Sequence, residues 1–304
     1  MQKILSVLYL VTAVLFFAVG QNANIDISLF AIKNIVLKTL FPMMVLSKVI
    51  TLGPLEKLLK KSAVWQKLSI SDTLIKTVIF GIIAGFPASS SEIERLKKEG
   101  LINDDEAKKA VALSSAPSLA FMLKVAGRNV TEGGILFIVS LVISYLVALS
   151  HKSTKSSYEA FKKPYTLPKA IALSGVSVIN VSANIIFFNF LNSLFSFLPP
   201  FVTLFLASLF ELASGSVLVK DSPLFFCFLV GFGSLSALFQ IKSEADSVSL
   251  SLYIKARLIT AFVFILLKTS ALLTIFLVIV FLLIKKALKK RRDRFIIIQK
   301  ELRM

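Results

Sequence analysis

One histidine, His151, and one cysteine, Cys227, are all this 304-residue sequence holds of those two residue types. A multi-histidine metal site and a disulfide within the chain are therefore excluded, and a histidine-based catalytic triad has little to work with. There is no HExxH, no phosphate-binding glycine loop and no paired-cysteine spacing. No assembled nucleophile and base can be picked out, so an enzyme is not expected. Acids are also scarce: 17 Asp and Glu against 35 Lys and Arg leave a net charge of +18. No motif calls for metal or an organic cofactor.

What is abundant is apolar. Hydrophobic residues make up 56% of the chain, and apolar runs long enough to cross a bilayer recur along it. Period-two alternation, the mark of a membrane barrel, is missing. The fold class expected is an all-α polytopic membrane protein. Spans are placed near 4–19, 27–50, 109–126, 133–150, 169–190, 222–240 and 249–267. The first run is read as a retained span because Gln21-Asn22-Ala23-Asn24 offers no clear cleavage site.

Two apolar segments break the pattern. The stretch "FGIIAGFPASSSEIERLKKEG", residues 80–100, runs into Gly85-Phe86-Pro87, then Ser89-Ser90-Ser91, then dense charge. The segment 198–219 starts with Pro199-Pro200 and carries Glu211 and Ser214. Irregular backbone at membrane depth survives only where protein or a watery cavity surrounds it. Segments 72–91 and 198–219 are accordingly read as re-entrant hairpins.

Charge sets the orientation. Residues 20–26 lack Lys and Arg and are assigned outside; 54–67 carries Lys57, Lys60, Lys61 and Lys67 and is assigned inside, as a surface helix; 151–169 has five lysines and is inside too. The stretch 92–109 reads as a solvated helical linker on the inner surface. The run 256–284 is 29 residues, about 43 Å as a helix against a ~30 Å core. Parity divides it into spans 249–267 and 271–285, with the basic tail inside. Both termini are expected in the cytoplasm of a multi-pass cell-membrane protein. The tail suits anionic lipid rather than nucleic acid.

The layout falls into parts: a first span and outer loop, 1–26; a first repeat, 27–150; a basic cytoplasmic loop, 151–168; a second repeat, 169–267; and a last span with its tail, 268–304. Each repeat holds a span, a hairpin, an interrupted span and a span, and the two hairpins enter from opposite sides. The interrupted spans carry "LSSAPS" (113–118) and "GFGSLS" (231–236). Paired broken segments in two halves point to a transporter site at the midplane.

The segments "FPMMVLSKVITLGPLEKLL" (41–59), "GFPASSSEIERLKKEGLINDDEAKKAVALSSAPSLAFMLKVAG" (85–127), "GFGSLSALFQIKS" (231–243) and "YIKAR" (253–257) resemble the YlbJ-like sporulation integral membrane proteins over roughly residues 27–267. That family carries the nucleoside-recognition, or Gate, domain, similar to the core of concentrative nucleoside transporters. The resemblance implies two re-entrant hairpins, two unwound helices of opposed orientation, and a nucleoside-like or dicarboxylate cargo such as dipicolinate. The chain departs from the family at Ser89, where glycine is common, and at Leu113, Ser114 and Ala116, where asparagines and a glycine are common; Pro117 is kept.

Candidate solute-binding residues lie at the breaks: Gly85, Phe86, Pro87, Ser89, Ser90 and Ser91 in the first; Ser114, Ser115, Pro117 and Ser118 in the second; Ser214 in the third; Gly231, Gly233, Ser234, Ser236 and Gln240 in the fourth. Broken helices expose unpaired N–H and C=O groups, and serines add hydroxyls. Helix capping and small-residue packing are the rival account of any one serine. Glu211 is the candidate coupling residue, for sodium or protons, because an intramembrane carboxylate is costly. Lys38 is an inward-facing lysine or a snorkeller; Asn180 and Asn184 line a pathway or bond between helices. The function expected is secondary transport of a small polar or anionic solute. A non-transporting scaffold of an envelope or sporulation complex is the alternative, and a homo-oligomer is compatible with either.

Overall fold

The computed structural model describes residue 14 and residues 25–49, 62–126, 130–156 and 165–268. The span expected at 4–19, most of the surface helix within 54–67, and the last span with its basic tail lie outside the described residues. Among the described residues there are helices and no strand.

Among the described residues, four helices are long and apolar enough to cross a membrane: Ile25–Val49 (α1), Val130–Ser150, Leu167–Leu194 and Pro223–Glu244, the last interrupted. The molecule is a helical membrane protein. In α1 the middle, Ile32–Leu40, is π-wound, and the Phe41 N–H reaches back to the Val36 carbonyl. A short helix, Ala63–Leu68 (α2), follows.

Segment 72–91 resolves into Asp72–Ala84 (α3), a break, and the start of Ser90–Lys98 (α4). The span placed at 109–126 begins earlier, as Asp104–Ser114 (α5). It breaks and resumes as a turn over Leu119–Phe121 (α6), which runs on π-wound through Met122–Ala126. Val130–Ser150 (α7) closes this half. In the second half come Leu167–Leu194 (α8), Pro200–Phe210 (α9), Leu212–Leu218 (α10), Pro223–Phe232 (α11), Leu235–Glu244 (α12) and Ser251–Lys268 (α13). Proline at the first or second position of α8, α9 and α11 fits the one part of a helix where its missing N–H costs nothing.

No core cluster belongs to one half. The largest joins Phe121, Met122 and Phe137 to Phe225, Leu229 and Phe264. A second joins Leu74, Ile93 and Val111 to Ile241 and Tyr253. A third joins Met44, Ala84 and Ala88 to Val181, Ile185 and Ala213. The outward faces carry Ile138, Val142 and Leu146 on α7, Val176 and Ile179 on α8, and Phe262 on α13. Exposed apolar faces of this kind suit lipid rather than water.

Two glycines let helices touch. A Cβ on Gly133 of α7 would lie 2.2 Å from the Met122 carbonyl oxygen, and one on Gly231 of α11 would lie 2.4 Å from the Ala261 Cα of α13. Small residues at such crossings trade side chain for close van der Waals contact, which is what holds helices together in lipid.

The charged stretch after α3 is not a solvated linker. One face of it is buried, with Ile93, Leu96, Ile102, Glu106 and Lys109 all inside. The Glu106 carboxylate closes a capping box with Asn103 and also accepts from the buried Ser71 N–H at 2.5 Å. Lys109 donates to the Leu68 carbonyl and the Ser153 hydroxyl, each at 2.7 Å. Lys97 donates to the Ser247 carbonyl at 2.6 Å, and the Glu94 carboxylate accepts from the Ser247 hydroxyl at 3.0 Å. These bonds gather residues 68–72, 92–109, 151–156 and 244–250 at one end of the molecule. Each of these buried groups has hydrogen-bond partners, which is far less costly than leaving a buried charge unpaired.

Candidate functional site

Each of the four breaks solves the same problem, how to stop a helix inside protein, with different residues. At the first, α3 ends at Gly85, whose φ of +80° and ψ of −178° suit glycine. A Cβ there would also lie 2.6 Å from the Ser118 backbone nitrogen. The Phe86–Pro87 peptide is cis. Local turns carry the chain into α4, with Ala88 N–H on the Gly85 carbonyl at 3.1 Å and Ser90 N–H on the Pro87 carbonyl at 2.9 Å.

The second break, Ser115–Ser118, lies against the first. The Phe86 N–H donates to the Ala116 carbonyl at 3.2 Å, satisfying one group on each side. The Ser89 hydroxyl donates to the Ser114 hydroxyl at 2.7 Å, which donates on to the Ala110 carbonyl at 2.7 Å. Ser118 caps the restarted helix, accepting from the Phe121 N–H at 3.1 Å. Pro117 sits buried in the gap, where its missing N–H needs no partner.

The fourth break reaches the same place. Gly233 has φ +88°, and its missing Cβ would lie 4.0 Å from the Phe86 ring and 3.4 Å from the Tyr253 hydroxyl. Ser234, also at positive φ (79°), caps α12 by accepting from the Ala237 N–H at 3.3 Å. Ser236 accepts from the Gln240 amide at 2.9 Å, one turn along. Gly231 is taken up in the contact with α13.

The third break is a single extended residue, Glu211, 4% exposed. Its carboxylate caps α10, accepting from the Ser214 N–H and, at 2.8 Å, from the Ser214 hydroxyl. Ala213, two residues on, shares an apolar cluster with Ala84 and Ala88 of the first break. The candidate residues thus fall into two sets. The first, second and fourth breaks meet at Phe86, through Ala116 and Gly233; Glu211 and Ser214 bond each other, and Ala213 between them belongs to the apolar cluster of the first break. Ser91 stands half-buried on α4.

Two buried hydroxyls at these breaks, Ser90 and Ser115, have no hydrogen-bond partner among the described residues. A buried polar atom left unpaired is unfavourable and uncommon in native proteins, so such atoms mark places where a ligand or water belongs. Lys38 is not inward: it is exposed and donates to Asn34 of its own helix at 3.0 Å. Asn180 bonds between helices, to Glu244 at 3.3 Å, and Asn184 bonds back to the Asn180 carbonyl at 2.8 Å.

The breaks alone, read from the sequence, do not point to Arg257 and Tyr253. Both are fully buried on α13 beside Gly233. Arg257 donates to Ser140 at 2.9 Å and to Ser144 at 2.5 Å on α7. The rule that singles out Glu211, a charge inside an apolar run, applies also to an arginine followed by "LITAFVFILL" (258–267). At the polar end, hydrogen bonds from His151 and then Lys108 hold the Asp105 carboxyl below the ordinary carboxylate range. Among the described residues no group of His, Cys, Asp and Glu could hold a metal ion. No protein-family model, no curated protein and no solved structure matches this chain.

Proposed function

We propose that this chain is a secondary transporter-like membrane protein. It carries a small polar or anionic solute, nucleoside-like or a dicarboxylate such as dipicolinate, by alternating access. The observation that carries the reading is the meeting of three helix breaks from both halves at Phe86: its N–H on Ala116, its ring beside Gly233, and Gly85 against Ser118. Unwound backbone from two halves converging on one point is how such transporters build a midplane site. The hydroxyls of Ser90 and Ser115, without a partner among the described residues, add to it.

The two halves also pack alike, which supports an inverted repeat. In the first, α3 lies on α5 and α7 lies on that same first piece of the interrupted helix; in the second, α9 lies on α11 and α13 lies on α11. In this reading α3–α4 and α9–α10 are the re-entrant hairpins. The polar end gathering 68–72, 92–109, 151–156 and 244–250 is the cytoplasmic one, where loop lysines concentrate, and both termini lie on that side. The resemblance to the YlbJ-like family agrees with this architecture. Glu211 is the proposed coupling carboxylate, for a proton or sodium, because it is buried in an apolar helix pair with a hydroxyl as its side-chain partner.

Thermal melting of the purified protein tests the reading, with uridine, dipicolinate and related carboxylates, with and without sodium and across pH. A ligand present at 100 times its Kd stabilises by about 2.7 kcal/mol, a shift of several degrees. One chemical class is expected to raise the melting temperature, with the effect altered in Glu211→Gln. That class should then be accumulated by proteoliposomes under a sodium or pH gradient. No shift and no uptake from any class would reject transport in favour of a scaffold.

A further inference from the structure

We infer that Arg257 is an anion-binding residue and that the solute presents a carboxylate to it at the fourth break; this rests on the transport reading above. Arg257 is 0% exposed, and the two groups it bonds, the hydroxyls of Ser140 and Ser144, carry no charge. Ser140 is the eleventh residue of the 21 in α7, roughly 15 Å from either helix end, so the guanidinium sits at mid-depth of that span.

No carboxylate among the described residues pairs with it, and its Nε has no hydrogen-bond partner there. The apolar segments 1–24 and 269–292, which apart from residue 14 lie outside the described residues, contain no Asp or Glu to supply one. Lys48 is the useful contrast: its buried amine also has no hydrogen-bond partner among the described residues, yet Glu92 and Glu244 lie within electrostatic range of it. Arginine does not shed its proton to escape burial, so its charge needs an anion from elsewhere.

The surroundings are built to receive one. Tyr253 lies one turn before Arg257 on the same helix face, 1% exposed, its hydroxyl without a partner among the described residues. Both approach Gly233, where a Cβ would lie 3.4 Å from that hydroxyl and 3.9 Å from Arg257 Cδ. Directly after Gly233 starts α12, ten residues long, whose N-terminal end is the positive end of its dipole. Of the five guanidinium N–H groups, two are spent on serines. The free Nε–H and a neighbouring N–H form the planar fork that matches a carboxylate's two oxygens. The edge of the Phe86 ring also lies 4.0 Å from the Gly233 Cβ position, which places an apolar group at the same break.

Titration calorimetry on the purified full-length chain tests this with matched probes: nicotinate against nicotinamide, and succinate against succinamide, with sodium chloride and uridine alongside. At least one carboxylate is expected to bind ~10-fold or more tightly than its amide, since a site left with an unpaired buried donor rejects the analogue lacking the partner. Arg257→Gln should erase that ratio, Arg257→Lys should keep part of it, and Tyr253→Phe should reduce it a few-fold. If Arg257→Gln does not fold, the wild-type ratios and Tyr253→Phe decide. No preference for any carboxylate over its amide, or a preference untouched in Arg257→Gln, overturns the inference; so does chloride binding with no carboxylate binding. Proteoliposome uptake separates the two proposals. Uridine uptake retained in Arg257→Gln with no carboxylate preference leaves transport standing and the anion site refuted; carboxylate binding without any uptake does the reverse.

Discussion

The two interrupted helices use one backbone device and finish with different chemistry. In the first, the gap runs from Ser115 to Ser118, includes a proline, and is capped by a serine hydroxyl. In the second, the gap is only Gly233 and Ser234, both at positive φ, and is again capped by a serine hydroxyl. Around the first are neutral hydroxyls: Ser89 donates to Ser114, and Ser114 donates on to the Ala110 carbonyl. Beside the second stand a buried guanidinium and a buried phenol. Stopping a helix inside a membrane protein is thus a matter of local backbone satisfaction, whereas what the gap can recognise depends on the neighbouring helix.

The largest effects should come from the glycines that seat each interrupted helix on its neighbour. Gly133→Ala and Gly231→Ala each force a methyl onto backbone atoms 2.2 to 2.4 Å away. Each should destabilise by about 2 to 3 kcal/mol, as overpacked cores do. Melting in detergent checks this; a loss in only one variant would show that only one half depends on close approach. The caps come next. Ser118→Ala and Ser234→Ala should each cost about 1 kcal/mol. Ser234→Gly should be close to neutral, because relief of the positive φ at 79° offsets the lost cap. Ser118→Gly, at φ −60°, has no such relief, so the two positions should part company in that substitution alone.

A smaller effect is expected where α5 begins, at the polar end. Asp105 is held below its ordinary value by His151 and Lys108. A carboxyl with a depressed folded value contributes stability that is full above its unfolded value, about 3.9, and lost as pH falls through the folded one. Melting temperature should therefore drop more steeply below pH ~4 in the wild type than in Asp105→Asn. The smallest effect has the opposite sign. Among the described residues, Gly175 of α8 has nothing within 4 Å of its absent Cβ, so Gly175→Ala should stabilise by about 0.5 to 1 kcal/mol. A loss there would mean that α8 packs more closely than its surroundings indicate.

Apolar run length and helix breakers by themselves determined the helical membrane class, the long helices at 25–49, 130–150 and 167–194, and the four gaps. A span is a local property of some twenty residues in lipid, and Gly, Pro and Ser interrupt it through their own backbone chemistry. Only the tertiary structure decided which gaps meet and which charges are inside. Lys38 and Arg257 both sit in apolar runs, yet one is exposed and the other has no exposed surface. Which face of α13 turns toward α7 follows from packing against Ser140 and Ser144, more than a hundred residues away in sequence. The stretch 92–109 is as charged as a surface linker but half-buried, because Glu106 and Lys109 find backbone partners at Ser71 and Leu68. Burial of a charge is set by distant partners, and no local window of sequence contains them.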